Sequence, residues 1–192
     1  MQSNIIPWLG KFPKIANDVF VAYNATIIGD VEIASQSSIW FNVVLRGDVS
    51  HIRIGSGTNI QDGTIIHVSS EGIATIIGDN VLVGHNALLH ACKINSESFI
   101  GMSATIMDGA IVESHSMVAA GSVVLAGTKI KTGELWGGVP ARFLRKVRDD
   151  EIKDFPNQIK RYIDLYLITF CLSNCSKRNQ VIHPESVEGL DS

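Results

Sequence analysis

The sequence has no excess of basic residues. Its 192 residues include 16 Lys and Arg against 19 Asp and Glu, which gives a formal net charge of -3 at pH 7. Proteins that bind nucleic acids usually carry a basic surface that attracts phosphate groups. We therefore expect no nucleic-acid partner for this chain.

Cysteine is also scarce. The chain has 3 cysteines, namely Cys92, Cys171 and Cys175, and their spacing is irregular. An odd number of irregularly spaced cysteines argues against a disulfide framework and is typical of a reducing compartment. The separation of Cys171 and Cys175 is not a convincing metal motif by itself.

Long apolar segments are missing as well. The nearest candidate, residues 163–172, is interrupted by Asp164 and Thr169 and is shorter than the roughly 20 residues that a membrane-spanning helix needs. The first ten residues lack the basic start and long apolar run of a secretory signal peptide. We therefore expect no membrane partner and a cytoplasmic location.

A six-residue repeat runs through most of the chain. Small residues dominate four positions after each repeated aliphatic residue. This period is typical of a parallel β-helix, in which three hexapeptides form a coil and stacked coils bury one core. Ordinary antiparallel strands would need hairpin turns about every 8–12 residues, and the register is too regular for that. The repeated aliphatic residues are Val21, Ile27, Ile33, Ile39, Leu45, Ile54, Ile60, Ile66, Ile77, Val83, Leu89, Ile94, Ile100, Ile106, Val112, Val118, Val124 and Ile130.

The repeat also divides the chain. We expect an irregular lead-in over residues 1–20 and the β-helix over 21–136, with corner loops after Leu45 and Ile66, where the register breaks. A turn follows, and then an amphipathic helix from Asp149 to about Leu172, so that turn and helix occupy 137–172. Residues 173–192 show no periodicity, and we assign them no function.

Three histidines fall inside the repeat. Side chains alternate along a strand, so the residue after each inward aliphatic residue points outward. This places Arg46, His67 and His90 on one face, in successive coils about 4.8 Å apart. His85 falls on another face, one coil from Gln61 and Asp62.

The histidine arrangement predicts a metal site. The outward rings of His67 and His90 can converge on a divalent cation, and His85 could complete the set across the interface of a cyclic homotrimer. Three histidines with an open fourth position are typical of catalytic zinc, which lowers the pKa of a bound water to about 7 and supplies hydroxide as the nucleophile. Cobalt or iron(II) would also suit these ligands.

A plainer interpretation remains open for each of these residues. The three histidines could be polar contacts in a trimer interface that holds no metal. Arg46 and Asp62 are interpreted as an intersubunit ion pair rather than as residues with a direct catalytic role. His51, His115 and His183 do not converge with the others and are interpreted as surface residues.

Six sequence motifs stand out, namely Arg46-Gly47-Asp48, Asn59-Ile60-Gln61-Asp62, His67, Gly84-His85-Asn86, Leu89-His90 and Gly137-Gly138-Val139-Pro140-Ala141-Arg142. These motifs resemble those of the γ-class carbonic anhydrase family, and the resemblance covers roughly residues 8–170. The family implies a left-handed β-helix and a homotrimer with a metal site at each interface, where His67 and His90 come from one subunit and His85 from its neighbour.

The resemblance also implies roles for five further residues. Gln61 would position the metal-bound hydroxide or bicarbonate. Arg46 and Asp62 would pair across the interface, with Asp48 in support, and Tyr162 matches loosely a tyrosine near the site. The implied activity is the reversible hydration of CO2 to bicarbonate.

The sequence departs from the family pattern, and two other functions stay open. Val49 stands where prototype members carry a glutamate thought to shuttle protons, and their acidic loop after His67 is missing. The first alternative is therefore a catalytically weak or inactive trimeric scaffold that binds metal. The second is a hexapeptide acyltransferase, which would use a single histidine as general base.

Overall fold

The protein, seen in a computed structural model, is a left-handed parallel β-helix of about 7 turns followed by one α-helix. The structure describes residues 4–176, with side chains up to Leu165. The predicted fold class is therefore confirmed. Within the described residues, no helix is both long and apolar enough to cross a membrane.

In the described part of the chain, twenty strands precede the helix, and most contain two or three residues. They are β1 (Asn4–Ile6), β2 (Lys14–Ile15), β3 (Phe20–Val21), β4 (Thr26–Ile33), β5 (Ser38–Ile39), β6 (Val44–Ile54), β7 (Asn59–Ile60), β8 (Ile65–His67), β9 (Thr75–Ile77), β10 (Leu82–Val83), β11 (Leu88–His90), β12 (Lys93–Ile94), β13 (Phe99–Ile100), β14 (Thr105–Ile106), β15 (Ile111–Val112), β16 (Met117–Val118), β17 (Val123–Val124), β18 (Lys129–Ile130), β19 (Glu134–Gly137) and β20 (Arg142–Lys146). The helix α1 spans Asp149–Ser176.

The strands form three faces. Face one contains β8, β11, β14 and β17, and face two contains β9, β12, β15 and β18. The long strands β4 and β6 contribute to both, because they turn the corner between them without a break. Face three contains β3, β5, β7, β10, β13, β16 and β19, and β20 adds an antiparallel strand at its end.

The core is a column of aliphatic side chains from all three faces. On face one, Leu45, Ile66 and Leu89 are paired side by side and have no exposed surface. The predicted inward register is thus confirmed. Stacking buries these side chains continuously, so each coil depends on its neighbours for its share of the core.

Small residues at the corners bond one coil to the next. The buried hydroxyl of Thr58 donates to the carbonyl of Gly78 at 2.7 Å, and that of Thr64 donates to the carbonyl of Gly84 at 3.1 Å. The tight corners also need left-handed backbone, which glycine and asparagine adopt most easily. Gly63 and Asn86 have φ values of 71° and 57° at corners of successive coils.

The two ends of the chain differ from the expected outline. In the lead-in, β1 and β2 are parallel partners of β4 and extend faces one and two. After the β-helix, β20 returns antiparallel to β19, which the predicted turn did not include. The helix continues to Ser176, the last described residue, four residues beyond the predicted end, and residues 177–192 of the expected tail lie outside the described residues.

The helix α1 packs against face three. Phe155 and Ile159 form a buried cluster with Leu82 of β10, and Tyr162 and Ile163 pack partly buried against it. The apolar stripe predicted for the helix therefore meets the β-helix. Face three is therefore partly covered by the chain's own helix.

Candidate metal centre

His67 and His90 lie next to each other on face one. They are directly paired residues of β8 and β11, and Arg46 of β6 is the next partner of His67. The predicted order of these three side chains is confirmed. The two imidazole rings are 5.1 Å apart between centroids, and Nδ1 of His67 lies 3.2 Å from Nε2 of His90.

A carboxylate holds the outer nitrogen of each ring. Oδ1 of Asp48 lies 3.0 Å from Nε2 of His67, and Oδ1 of Asp108 lies 2.6 Å from Nδ1 of His90. In a neutral imidazole, the outer nitrogen then carries the ring proton and donates a hydrogen bond to the carboxylate, because an ionised carboxylate can only accept. The two facing nitrogens then carry lone pairs, so they cannot hydrogen-bond to each other.

The facing nitrogens fit a divalent metal ion. Two nitrogen ligands about 2.0–2.1 Å from one ion, at a tetrahedral angle, are roughly 3.3 Å apart. The observed separation of 3.2 Å matches this value. A carboxylate on the far nitrogen is also the usual second partner of a metal-binding histidine, since it fixes the tautomer and the ring orientation.

Asp48 is held as a carboxylate by three donors. Burial raises its pKa, but the hydrogen bonds from His67, the Val49 N–H and Arg46 outweigh burial and lower the pKa to about 2. Its Oδ2 accepts from Arg46, and the Val49 N–H donates to Oδ1 at 2.8 Å. Asp48 therefore links Arg46 to His67 within one chain.

The backbone after His90 is unusually tight. Ala91 adopts a φ of 46° although it is not a glycine, and its N–H donates to the carbonyl of His67. The corner is one residue shorter than the regular repeat, which explains the short step from Leu89 to Ile94 in the sequence. Left-handed backbone costs an L-residue about 1–2 kcal/mol, so the neighbouring coils must stabilise this corner.

His85 lies on another face, as expected. It follows β10 on face three, and its Nδ1 lies 2.9 Å from Oδ2 of Asp62, one coil away. Its side chain is 45% exposed. Within the described residues of one chain, no three His, Cys, Asp or Glu side chains are placed to hold a metal.

The other predicted site residues surround this region at different depths. Gln61 is buried directly after β7, whereas Asp62 is partly exposed and bonds His85. Arg46 bonds Asp48 in the same chain, so the pairing of Arg46 with Asp62 between subunits stays a prediction. Tyr162 lies on α1 and packs against the core.

Among the described residues, the other histidines outside the proposed site form no hydrogen bond or ion pair with His67 or His90. His115 sits at a corner with Nε2 at 3.1 Å from Glu97. His51 lies within the long strand β6, and His183 lies outside the described residues. The prediction that these do not join His67 and His90 agrees with the placement of the first two.

Asp108 was not among the site residues predicted from the sequence. Its signal is the dipeptide Asp-Gly at a corner: Gln61-Asp62-Gly63-Thr64 and Met107-Asp108-Gly109-Ala110 occupy the same kind of turn, closed by a hydrogen bond from the last N–H to the first carbonyl. The glycine has a positive φ in both turns. The shared Asp-Gly pair marks Asp108 as a corner residue like Asp62, whereas its bond to His90 is seen only in the folded chain.

Apolar side chains border the histidine pair on face one. Ile65 and Leu88 are paired neighbours, and their side chains are 47% and 38% exposed. Each lies two residues before its histidine in the sequence. Met107 and Leu125 continue the histidine row in the next coils and are also exposed. An exposed apolar surface of this kind marks an interaction site more often than a free surface.

Two proteins named as carbonic anhydrases are similar to this chain over most of its length. The chain is 52% identical over 160 residues to gamma carbonic anhydrase 2, mitochondrial, of Arabidopsis thaliana, covering 81% of this chain but only 58% of that protein. It is 41% identical over 151 residues to the "Probable carbonic anhydrase" of Methanocaldococcus jannaschii, covering 79% of this chain and 94% of that one. No protein-family model matches.

Among solved structures, a hexapeptide transferase family protein from Anaplasma phagocytophilum is 44% identical with a TM-score of 0.81. The similarity covers 84% of this chain and 95% of that structure.

Proposed function

The chain belongs to the γ-class carbonic anhydrase-like family of hexapeptide-repeat proteins, and from this we propose that it catalyses the metal-dependent, reversible hydration of CO2 to bicarbonate. The observation that carries the proposal is the pair of facing nitrogens on His67 and His90, 3.2 Å apart, each ring held by a carboxylate. The pairing of β8 with β11 in the β-helix fixes the distance between the two nitrogens.

The proposed third ligand is His85 of a neighbouring subunit in a homotrimer. Asp62 fixes Nδ1 of His85 at 2.9 Å, which leaves its Nε2 free to face outward. The exposed apolar residues Ile65 and Leu88 beside the histidine pair give face one a surface that another subunit could cover. Heterologous contacts between face one and face three would close such a ring.

Zinc is the proposed metal, and iron(II) or cobalt would also suit three imidazoles. A bound metal of this kind lowers the pKa of a water molecule to about 7 and so supplies hydroxide as the nucleophile for CO2. The chain's own residues hold and orient this chemistry. Asp48 accepts a hydrogen bond from Nε2 of His67, and Asp62 accepts one from Nδ1 of His85, so the second nitrogen of each neutral ring is unprotonated. Arg46 holds Asp48 in place.

We assign positioning of the substrate to Gln61. Its side chain is buried at the edge of face three, one residue before Asp62, and an amide can both donate and accept hydrogen bonds to bicarbonate. In the trimer, Arg46 would pair with Asp62 of the neighbour in addition to its own Asp48. Tyr162, on the helix over face three, is the fifth residue that we place near the substrate.

The proposed compartment is the cytoplasm, on the basis of cysteine content. Cys92 is a buried free thiol, and a reducing compartment would keep it so. The plant relative is named as a mitochondrial protein. Because the chain spans 58% of that relative's length, the relative's location is not carried over.

Two other functions remain as alternatives. Acyl transfer is favoured by the similarity to a hexapeptide transferase family protein, and it predicts binding of an acyl-CoA. A trimeric scaffold that holds metal without turnover is favoured by Val49, which offers no proton-carrying side chain next to Asp48. The facing histidines support a metal site in the scaffold and are not required for acyl transfer.

Stopped-flow CO2 hydration tests the proposal. The protein is loaded separately with zinc and, without oxygen, with iron(II), and the His85→Ala and His115→Ala variants are compared. We expect metal-dependent turnover in the wild type and in His115→Ala, and loss of at least about 100-fold in His85→Ala with the trimer intact, because one of three ligands is removed. No turnover with either metal, in a trimer that binds one metal per chain, would reject the enzyme and leave the scaffold.

A further inference from the structure

Asp108 is a polar residue at the corner that follows β14, one coil beyond His90. We propose that it is a positioning residue of the metal centre: it holds the Nδ1 proton of His90 so that Nε2 of that ring is turned, unprotonated, towards His67. The inference rests on the proposed function, since it concerns the same metal. The bond that carries it is the 2.6 Å contact between Oδ1 of Asp108 and Nδ1 of His90.

The backbone fixes where this carboxylate lies. Asp108 is the second residue of a turn closed by the bond from the Ala110 N–H to the Met107 carbonyl, and Gly109 has a φ of 67°. The Gly109 N–H donates to the carbonyl of Ala91, and the carbonyl of Asp108 accepts from the Gly127 N–H. The turn is therefore bonded to the coils on both sides, which fixes the backbone of Asp108 beside the coil of His90.

A second corner of the chain repeats the arrangement. Asp62 is also the second residue of a turn with glycine third, Gly63 having a φ of 71°. Its carboxylate also bonds Nδ1 of a histidine on an adjacent coil, His85. The two Asp-Gly corners lie at different edges of the β-helix, so we infer that each serves one of the proposed ligands.

The contacts of Asp108 do not suit a general surface charge. Surface carboxylates of this chain such as Asp30 and Glu32 bond lysine or arginine. Within the described residues, Asp108 has one side-chain partner, the His90 ring. Its side chain is 40% exposed, so it could turn to solvent at little cost if the imidazole did not hold it.

The Asp108 carboxylate determines which nitrogen of His90 carries the proton. A carboxylate can only accept, so it binds the His90 tautomer that carries its proton on Nδ1. An amide in the same place can present its NH2 group to Nδ1 and favour the opposite tautomer, which would put the proton on the nitrogen that faces His67. Asp108→Asn therefore keeps the shape and weakens the metal ligand.

Zinc affinity of the full-length chain tests the inference. Dissociation constants are measured by competition with a chromophoric chelator for the wild type, Asp108→Asn, Asp108→Ala and Asp108→Glu. Loss of such an outer partner typically costs about 10- to 100-fold in metal affinity. We expect a loss in this range for Asn and Ala and partial recovery for Glu, which retains a carboxylate. The visible spectrum of the Co²⁺ form should change in Asn and Ala and return towards wild type in Glu.

Glu97→Gln is the matched control. Glu97 also pairs with a histidine, His115 at 3.1 Å, at a corner away from the metal centre, and its loss should leave zinc affinity unchanged. The inference is overturned if either Asp108→Asn or Asp108→Ala, folded by circular dichroism, binds zinc within about threefold of the wild type. Failure of the wild type itself to bind zinc would instead reject the proposed metal centre.

Discussion

At the scale of single residues, the side chains of face one are oriented by their neighbours one coil away. Asp48 and Asp108 each take the outer nitrogen of one imidazole, so the two inner nitrogens face each other at 3.2 Å. The register of the parallel strands pairs equivalent residues of successive coils, so His67 and His90 lie side by side although they are 23 positions apart. Sequence alternation predicted this meeting, because outward positions in stacked coils are fixed by the register.

The exact partner of each ring could not be predicted in the same way. Asp108 lies at a corner, where the chain leaves the regular ladder and the side chain direction depends on the turn. The resemblance singled out Asp48, but its bond to His67 depends on the path that β6 takes around the corner. Corner geometry is set by bonds between coils rather than by the local sequence, so it is visible only in the folded chain.

Cys92 is a residue whose environment predicts its reactivity. It lies fully inside the β-helix close to His90, and burial raises the pKa of its thiol to about 12. Because the thiolate is the reactive form, we expect no alkylation of Cys92 by iodoacetamide near pH 8 in the folded protein, and full alkylation after denaturation. Peptide mass spectrometry measures both. Stoichiometric labelling of the folded protein would contradict this packing.

At the scale of elements, the junction between β20 and α1 depends on one acidic residue. Glu151, in the first turn of the helix, accepts two bonds of 2.8 Å from the Arg145 guanidinium of β20 and one of 2.8 Å from the Arg148 N–H. These bonds, that from Arg145 above all, lower the pKa of Glu151 to about 2. These bonds join the first turn of the helix to the end of face three, and the apolar residues that pack on face three follow later in the helix.

Glu151→Gln should weaken this junction in a pH-dependent way. We expect the free energy of unfolding near pH 7 to fall by roughly 1 kcal/mol, the upper range for an accessible ion pair. The folded pKa is lowered, so the contribution is present above the ordinary value of 4.5 and is lost as the pH falls towards about 2. The difference from wild type should therefore shrink on acidification.

Urea unfolding at constant protein concentration, near pH 7 and about pH 3, measures the effect. Asp150→Asn is the control, since Asp150 is also in the first turn but is 74% exposed with a single bond of 3.1 Å to Arg148. An equal loss of stability in both variants, or a difference that grows on acidification, would contradict the assigned role of Glu151.

The elements outside the repeat were the hardest to predict. The six-residue period gave the strands of the β-helix, because it follows directly from buried aliphatic side chains. The strands β1, β2 and β20 lack that period and form by pairing with β4 and β19. Local sequence carries little information about such pairing, so residues 1–20 resembled an irregular segment and 142–146 part of a turn.

At the scale of the whole molecule, the proposed metal ligands are divided between two faces of one rigid body. His67 and His90 project from face one, and His85 projects from face three with its own aspartate. A β-helix cannot bend one face onto another, because each coil is bonded to the next on all three sides. We therefore propose that a complete metal site forms only between copies of the chain.

Mixed trimers test this claim most directly. His85→Ala and His90→Ala chains are unfolded together in equal amounts, refolded, and analysed for bound zinc and CO2 hydration beside each variant alone. If the site is shared, each variant alone lacks it, but random mixing restores an interface with all three histidines in about a quarter of cases. We predict about a quarter of wild-type zinc and activity in the mixture. A mixture no more active than the separate variants, while wild type treated in the same way recovers fully, would contradict the shared site.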